Sequence, residues 1–180
     1  YAGVDFNGDT WTDDDLEAAC ARLRADGVDG ILATVITDQL PTMCCRLQRL
    51  AAARERSRDI AAMIYGFHIE GPFLNEQPGY IGAHPATAAR VADLVAMQQL
   101  LDAASGGTRI VTLAPERDPG NAVTQHLAAQ GIVVAAGHCN PTLDELDAAI
   151  DAGLSMFTHV GNGCPLTQHR HDNIVQRALS

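Results

Sequence analysis

The 180-residue sequence contains no lysine: all twelve basic residues are arginines, set against 22 acidic ones for a formal charge of −10. Such a balance repels phosphate backbones and anionic lipid, so neither nucleic acid nor a membrane surface is expected as a partner. One phosphorylated small molecule held in a local site is still compatible with it. Without lysine there is no phosphate loop of the GxxxxGK type. No apolar run approaches the roughly 18–20 residues of a membrane span, and no charged-then-apolar leader opens the chain. No CxxC pair occurs either. The five cysteines are odd in number, and adjacent Cys44 and Cys45 cannot readily bridge each other, which predicts reduced, mostly buried thiols and a cytoplasmic setting. No linker or low-complexity stretch divides the chain.

What is present is globular in composition, 47% hydrophobic and 19% charged, and organised as an alternation of helices and strands. Thr12 opens a helix with Asp13, Asp14 and Asp15 in its first turn, where carboxylates complement the helix dipole. Leu16, Ala19, Cys20 and Leu23 form its apolar face, and Gly27 ends it. A short β-branched run at 31–36 reads as a strand. Pro41 and Thr42 start a helix with Met43, Leu47, Leu50 and Ala51 inward, closed by the polar RERSRD stretch. A strand at 62–68 runs into the loop EGPFLNEQPGYIGAHP. The next helix carries Val91, Leu94, Val95 and Leu101 on its apolar side and stops at Gly106-Gly107. Strands are predicted at 109–113, 132–136 and 154–158, with a helix over about 120–130. Thr142 and Glu145 form a capping box for a helix bearing Leu143, Leu146 and Ile150. The short, uninterrupted apolar strands suit a parallel sheet buried on both faces. The fold class is α/β, built from five βα units.

In parallel α/β folds, ligands bind at the carboxyl ends of the strands. The second strand delivers His68 and Glu70, the third Pro115-Glu116, the fourth Gly137-His138 and the fifth Thr158-His159. Taken singly, each is an ordinary hydrogen-bonded polar residue at a strand end. Their recurrence on successive strands favours a metal constellation of Glu70, His138 and His159. Imidazole and carboxylate suit Zn²⁺ or another divalent first-row ion, and three ligands leave a coordination position open for water. His68 shares the parity of Glu70 and either faces substrate or backs the ligands. Glu116 is a further ligand or a loop-structuring residue. Cys139 points away from the side His138 faces and packs inward. Cys164 is read as a small buried thiol, and His126 as a surface residue. The loop 75–84 is a shaped segment over the site. In Gly161-Asn162-Gly163 the glycines admit a close ligand and the Asn162 amide can read a hydroxyl or carbonyl. The cluster 168–172 is a solvated loop or, through Arg170, a contact for an anionic group.

At GFHIEGPFLN…GAHP, followed by TLAPE, GHCNPTLDEL and THVGNGCP, the chain resembles the N-acetylglucosamine-6-phosphate deacetylases of the amidohydrolase superfamily along nearly its whole length. GVDFN at 3–7 is similar to the segment after that family's first strand. The resemblance implies a partial (β/α)8 TIM barrel, strands two to six of eight with their helices. Residues 1–180 would then be the central part of a barrel truncated at both ends, since a whole one needs about 250 residues. It implies metal-dependent hydrolysis of an N-acetyl amide on an amino-sugar phosphate, with a divalent metal, Zn²⁺ first, on Glu70, His138 and His159. Sugar contacts fall on Ala83, His84, Asn162 and Gly163, and the phosphate contact on Arg170. First-strand ligands are expected before Tyr1 and the catalytic aspartate beyond Ser180, in a protein that is a homodimer at full length. The family's Phe/Tyr-Asn-Ala-Met is replaced here by Gly161-Asn162-Gly163-Cys164, which changes the floor of the sugar site. Two alternatives follow: an amidohydrolase for another amide, or a non-catalytic sugar-phosphate binding protein.

Overall fold

The structure is a computed structural model, and it describes residues 3–180. Helix α1 (Asp13–Ala25) begins where Thr12 accepts from the Asp15 amide while Asp15 reaches back to the Thr12 amide. The expected face, Leu16, Ala19, Cys20 and Leu23, is its buried one. Strand β1 (Ile31–Ile36) follows, then α2 (Leu40–Arg56), with Met43, Leu47, Leu50, Ala51 and Ala53 buried. The polar stretch that closes α2 also opens something that the sequence reading passed over. Ser57 caps a short helix α3 (Arg58–Met63), so β2 occupies Ile64–Glu70, two residues later than expected. Glu70 is thereby the last residue of the strand.

The alternation continues through α4 (Leu94–Ala103), β3 (Thr108–Leu113), α5 (Ala122–Ala129), β4 (Val133–Ala136), α6 (Leu143–Asp151) and β5 (Leu154–Phe157). Helix α7 (Ile174–Leu179), unforeseen from sequence, starts at Asn173, whose side chain accepts from the Gln176 amide. Gly27, Gly131 and Gly153 end their helices in the left-handed region as expected. None of the five thiols is bonded to another. Among the described residues no helix is long and apolar enough to cross a membrane.

All strand pairs are parallel, and the order is β1-β2-β3-β4-β5. A doubly wound sheet reverses direction part-way; this one does not. With right-handed crossovers, a sheet that always steps the same way places its connecting helices on one face. α2 accordingly packs on α4, and α4 on α5. That is the construction of a (β/α) barrel wall. Ala33, Val35, Phe67 and Ile69 are fully buried beneath the helices, whereas Thr34, Ile36, His68 and Glu70 alternate with them and are half-buried. Burial on both faces was expected, but only the helix-covered face is fully closed.

Two helix faces also differ from the reading. Val91 precedes α4, and Val91, Leu94 and Val95 are exposed; the buried face is Ala96, Met97, Leu100 and Leu101. The cause is the cap: Asp93 accepts from the Ala96 amide at 2.8 Å and starts the helix there, which sets the phase. In α6, Leu143 and Ile150 are exposed and Leu146 and Ala149 are buried. Leu100→Ala should therefore lower the unfolding free energy by about 2–5 kcal/mol. Val95→Ala, at 70% exposure, should change it by less than about 0.5 kcal/mol. Urea denaturation followed by circular dichroism distinguishes them, and equal losses would reject this phase.

Candidate metal centre

The ends of β2, β4 and β5 meet at one carboxylate. Glu70 Oε1 lies 3.1 Å from His159 Nε2 and 3.4 Å from His138 Nε2, and Oε2 is 4.0 Å from His84 Nε2. His84 and His138 bring their Nε2 atoms within 3.1 Å of each other. The Glu70, His84 and His138 ligand atoms all lie within 4.8 Å of one another. His159 joins them through Glu70 and by an edge contact to the His138 ring. So the expected trio converges, and His84, expected to face substrate, stands among the same atoms.

Local backbone explains how histidines two residues past β4 and β5 turn into this space. His138 has φ 50° and His159 φ 35°, both left-handed. For non-glycine residues such backbone is strained by about 1–3 kcal/mol and persists only when the surroundings hold it. The holding contacts are present. The Asn75 amide donates to the His138 carbonyl at 3.0 Å, and His138 Nδ1 donates to the Tyr80 carbonyl at 2.8 Å. Gly82 and Gly163 press on the rings. A Cβ added at Gly82 would lie 3.0 Å from His138 Cε1, and one at Gly163 3.0 Å from His159 Cε1. Both glycines have positive φ as well, so no other residue fits easily. Glu70 is fixed by its strand, with its carbonyl accepting from buried Thr37 Oγ1 at 3.0 Å.

The electrostatics follow from this crowding. Burial alone would raise Glu70, but hydrogen bonds from His138 and His159, with the fields of His84 and His68, bring its pKa to about 2. Burial and the neighbouring His138 pull His84 down to about 4, against the attraction of Glu70. Burial also acts downward on His138, but its bonds to Glu70 and the Tyr80 carbonyl outweigh it, and the net direction is upward. Since Nδ1–H is given to Tyr80, a neutral His138 turns a bare Nε2 lone pair toward a carboxylate. Only positive charge between them relieves that repulsion: a proton, or a metal ion. The donor set of one carboxylate and imidazole nitrogens is one that Zn²⁺ or a similar divalent ion accepts. His84 Nδ1 is buried without a hydrogen-bond partner, and its ring packs edge-on against that of His138.

The group opens into a cavity of about 380 Å³ that Ala83, Asn162 and Gly163 also line. Arg170 does not line it; its side chain is exposed, and its carbonyl accepts from Gln176 Nε2. Cys139 is buried in the core, as expected, and burial raises its thiol well above the usual range. Glu116 takes the loop-structuring role: its Oε1 accepts from Asn75 Nδ2 and from the Asn140 amide. Sequence reasoning missed Ile36, which lines the cavity but looks like any apolar strand residue. It also missed Tyr80, which acts through its carbonyl and so leaves no side-chain signature.

No protein-family model matches the chain. An N-acetylgalactosamine-6-phosphate deacetylase of Escherichia coli is 31% identical over 179 residues, covering 99% of this chain and 46% of that protein. An N-acetylglucosamine-6-phosphate deacetylase of Bacillus subtilis is 32% identical over 167 residues, covering 92% and 42%. The crystal structure of N-acetyl-D-glucosamine-6-phosphate deacetylase from Mycobacterium smegmatis superposes with a TM-score of 0.83 at 33% identity, over 98% of this chain and 44% of that one. The chain is a relative of the N-acetylglucosamine-6-phosphate deacetylases. It spans less than half the length of the curated relatives it matches, and its five parallel strands superpose on part of the Mycobacterium smegmatis structure.

A metal bound here competes with the proton that Glu70 and the Tyr80 carbonyl favour on His138, whereas Glu70 itself is already ionised. Zn²⁺ affinity should therefore rise with pH and then level off once His138 is neutral. Competition titrations between about pH 5 and 8 follow this, and an affinity independent of pH would refute it.

Proposed function

We propose that the chain is the central part of a longer, metal-dependent deacetylase that hydrolyses the N-acetyl amide of an amino-sugar phosphate. The observation that carries this reading is the convergence of Glu70, His138 and His159 from three strand ends on a cavity shared with Ala83, His84, Asn162 and Gly163. Kinship with deacetylases of both N-acetylglucosamine and N-acetylgalactosamine 6-phosphate, at 32% and 31% identity, supports the substrate class.

In this reading Glu70, His138 and His159 hold the ion, with Zn²⁺ the first choice. A bound ion of this kind supplies Lewis acidity and lowers the pKa of water. The residues of the chain do the rest. Tyr80 fixes the His138 tautomer so that Nε2 faces the ion, the arrangement in which a partner on the second ring nitrogen sets the first. His84, held neutral at pH 7 by its burial, can accept or donate one hydrogen bond to the substrate. The Asn162 amide offers both a donor and an acceptor to a sugar hydroxyl. Ala83 and Gly163 leave backbone exposed for close approach. Arg170 lies outside the cavity, and its assignment to the phosphate rests on the ability of a guanidinium to pair with two phosphate oxygens at once. A cytoplasmic setting, supported by five free thiols, and a homodimer complete the proposal.

The test is acetate release by the full-length, Zn²⁺-loaded protein from N-acetylglucosamine and N-acetylgalactosamine 6-phosphates. Turnover of at least one is expected, and turnover of neither would reject the reading. Glu70→Gln and His159→Ala should lose bound metal and at least about a hundredfold in kcat/KM. His84→Ala should keep its metal and raise KM. Loss of metal in His84→Ala but not in His159→Ala would reassign the ligands.

A further inference from the structure

Below the histidines runs a row of polar side chains that the proposed reaction does not use. His68 stands two residues before Glu70 on β2 and so points to the same face. Its Nδ1 is 3.3 Å from Thr34 Oγ1 on β1, and its Nε2 is 2.7 Å from Thr112 Oγ1 on β3. Thr112 Oγ1 lies 3.0 Å from Thr158 Oγ1, just past β5, and Thr158 Oγ1 lies 3.1 Å from the Ala136 carbonyl of β4. The row thus touches β1 to β4 and the residue that follows β5. It also requires a gap after β4. A Cβ at Gly137 would lie 2.6 Å from Thr158 Oγ1 and 2.7 Å from Thr112 Cγ2, so a larger residue there would push the two threonines apart.

Counting hydrogens gives the row a direction. Each hydroxyl has one hydrogen to give, and a carbonyl only accepts. If Thr158 donates to the Ala136 carbonyl, Thr112 donates to Thr158. His68 then presents Nε2–H to Thr112, and Thr34 donates to a bare Nδ1. Every hydrogen is used, and every one of the observed contacts is a bond. Reversing the direction puts the His68 proton on Nδ1, loses the bond to the Ala136 carbonyl, and leaves the Thr34 hydroxyl hydrogen with no acceptor among the described residues. In a half-buried network each such loss is unfavourable, and a fully satisfied chain polarises along its length.

We infer that this row is a directional hydrogen-bond ladder that holds His68 as the Nε2–H tautomer and fixes the ends of β2 and β5 relative to each other. His68 is then a positioning residue. Its strand carries Glu70 two places on, and Thr158 directly precedes His159, so the ladder sets the distance between these two side chains. The positional part rests on the reading of Glu70 and His159 as metal ligands; the tautomer does not.

Imidazole nitrogen–proton correlation spectra of the ¹⁵N-labelled full-length protein, with His68 assigned by the loss of its signals in His68→Gln, read the tautomer directly. A proton on Nε2 and a bare Nδ1 are expected, and a proton on Nδ1 would overturn the ladder. Thr112→Val removes the hydroxyl and should weaken Zn²⁺ binding about tenfold, whereas Thr112→Ser should restore it. Equal losses in both variants, or no loss in a folded Thr112→Val, would overturn the positioning role. Should Thr112→Val not fold, the spectrum of the unaltered full-length protein still decides the tautomer. A folded, unaltered full-length protein that binds no Zn²⁺ would refute the ligand reading and the positioning role together, with the tautomer still decided by its own spectrum.

Discussion

Glu70 is a charge taken largely out of water, and the end of the sheet is arranged around keeping it ionised. An isolated buried carboxylate neutralises itself by taking a proton. This one does not, because imidazoles reach it from the loop after β2 and from the ends of β4 and β5. Bringing them there requires left-handed backbone at both His138 and His159, a strain that packing elsewhere offsets. The same negative centre that attracts protons in the absence of metal is what would attract a divalent ion. Positive charge at this point is a demand of the fold before it is a feature of any reaction.

The strain is held by loops rather than by the sheet. Asn75, in the loop after β2, donates its amide to the His138 carbonyl and its side chain to Glu116, which also accepts from the Asn140 amide. Arg177 on α7 donates to Asn140 Oδ1 at 3.0 Å and to the Pro141 carbonyl at 2.7 Å. Three consecutive strand-end loops and a helix distant in sequence are thereby tied into one unit around His138. Hydrogen bonds to backbone serve here as the surroundings that an unusual φ requires.

Much of this was legible in the sequence, and the reasons for the exceptions are specific. Strand positions were readable because each is a short apolar run bounded by glycine or a polar exit, and Glu70, His138 and His159 were readable because each is such an exit. Helix phase failed where a cap rather than composition sets it: Asp93 starts α4 after Val91, and the apolar residues before and within its first turn look inward only if the start is misplaced. Ser57 both closes α2 and caps α3, and one polar stretch cannot announce two events to a reader of patterns. His84 was placed on the substrate side, and its approach to His138 depends on the path of a long loop, which periodicity does not describe. Contacts made by carbonyls, as at Tyr80 and Ala136, have no residue-type signal at all.

The two glycines that press on the histidine rings constrain how this site can vary. Gly82 and Gly163 lie in the loops that line the cavity, yet an added methyl at either would be felt first by an imidazole. Residues that shape the opening and residues that aim the nitrogens are therefore not independently exchangeable. Gly161 is different: a Cβ there would meet nothing within 4 Å, so only its left-handed backbone, at φ 85°, opposes a side chain, and asparagine meets that strain with the least penalty. The same loop thus holds one glycine kept by its backbone alone and, two residues later, one at the cavity wall where a histidine would have to move first.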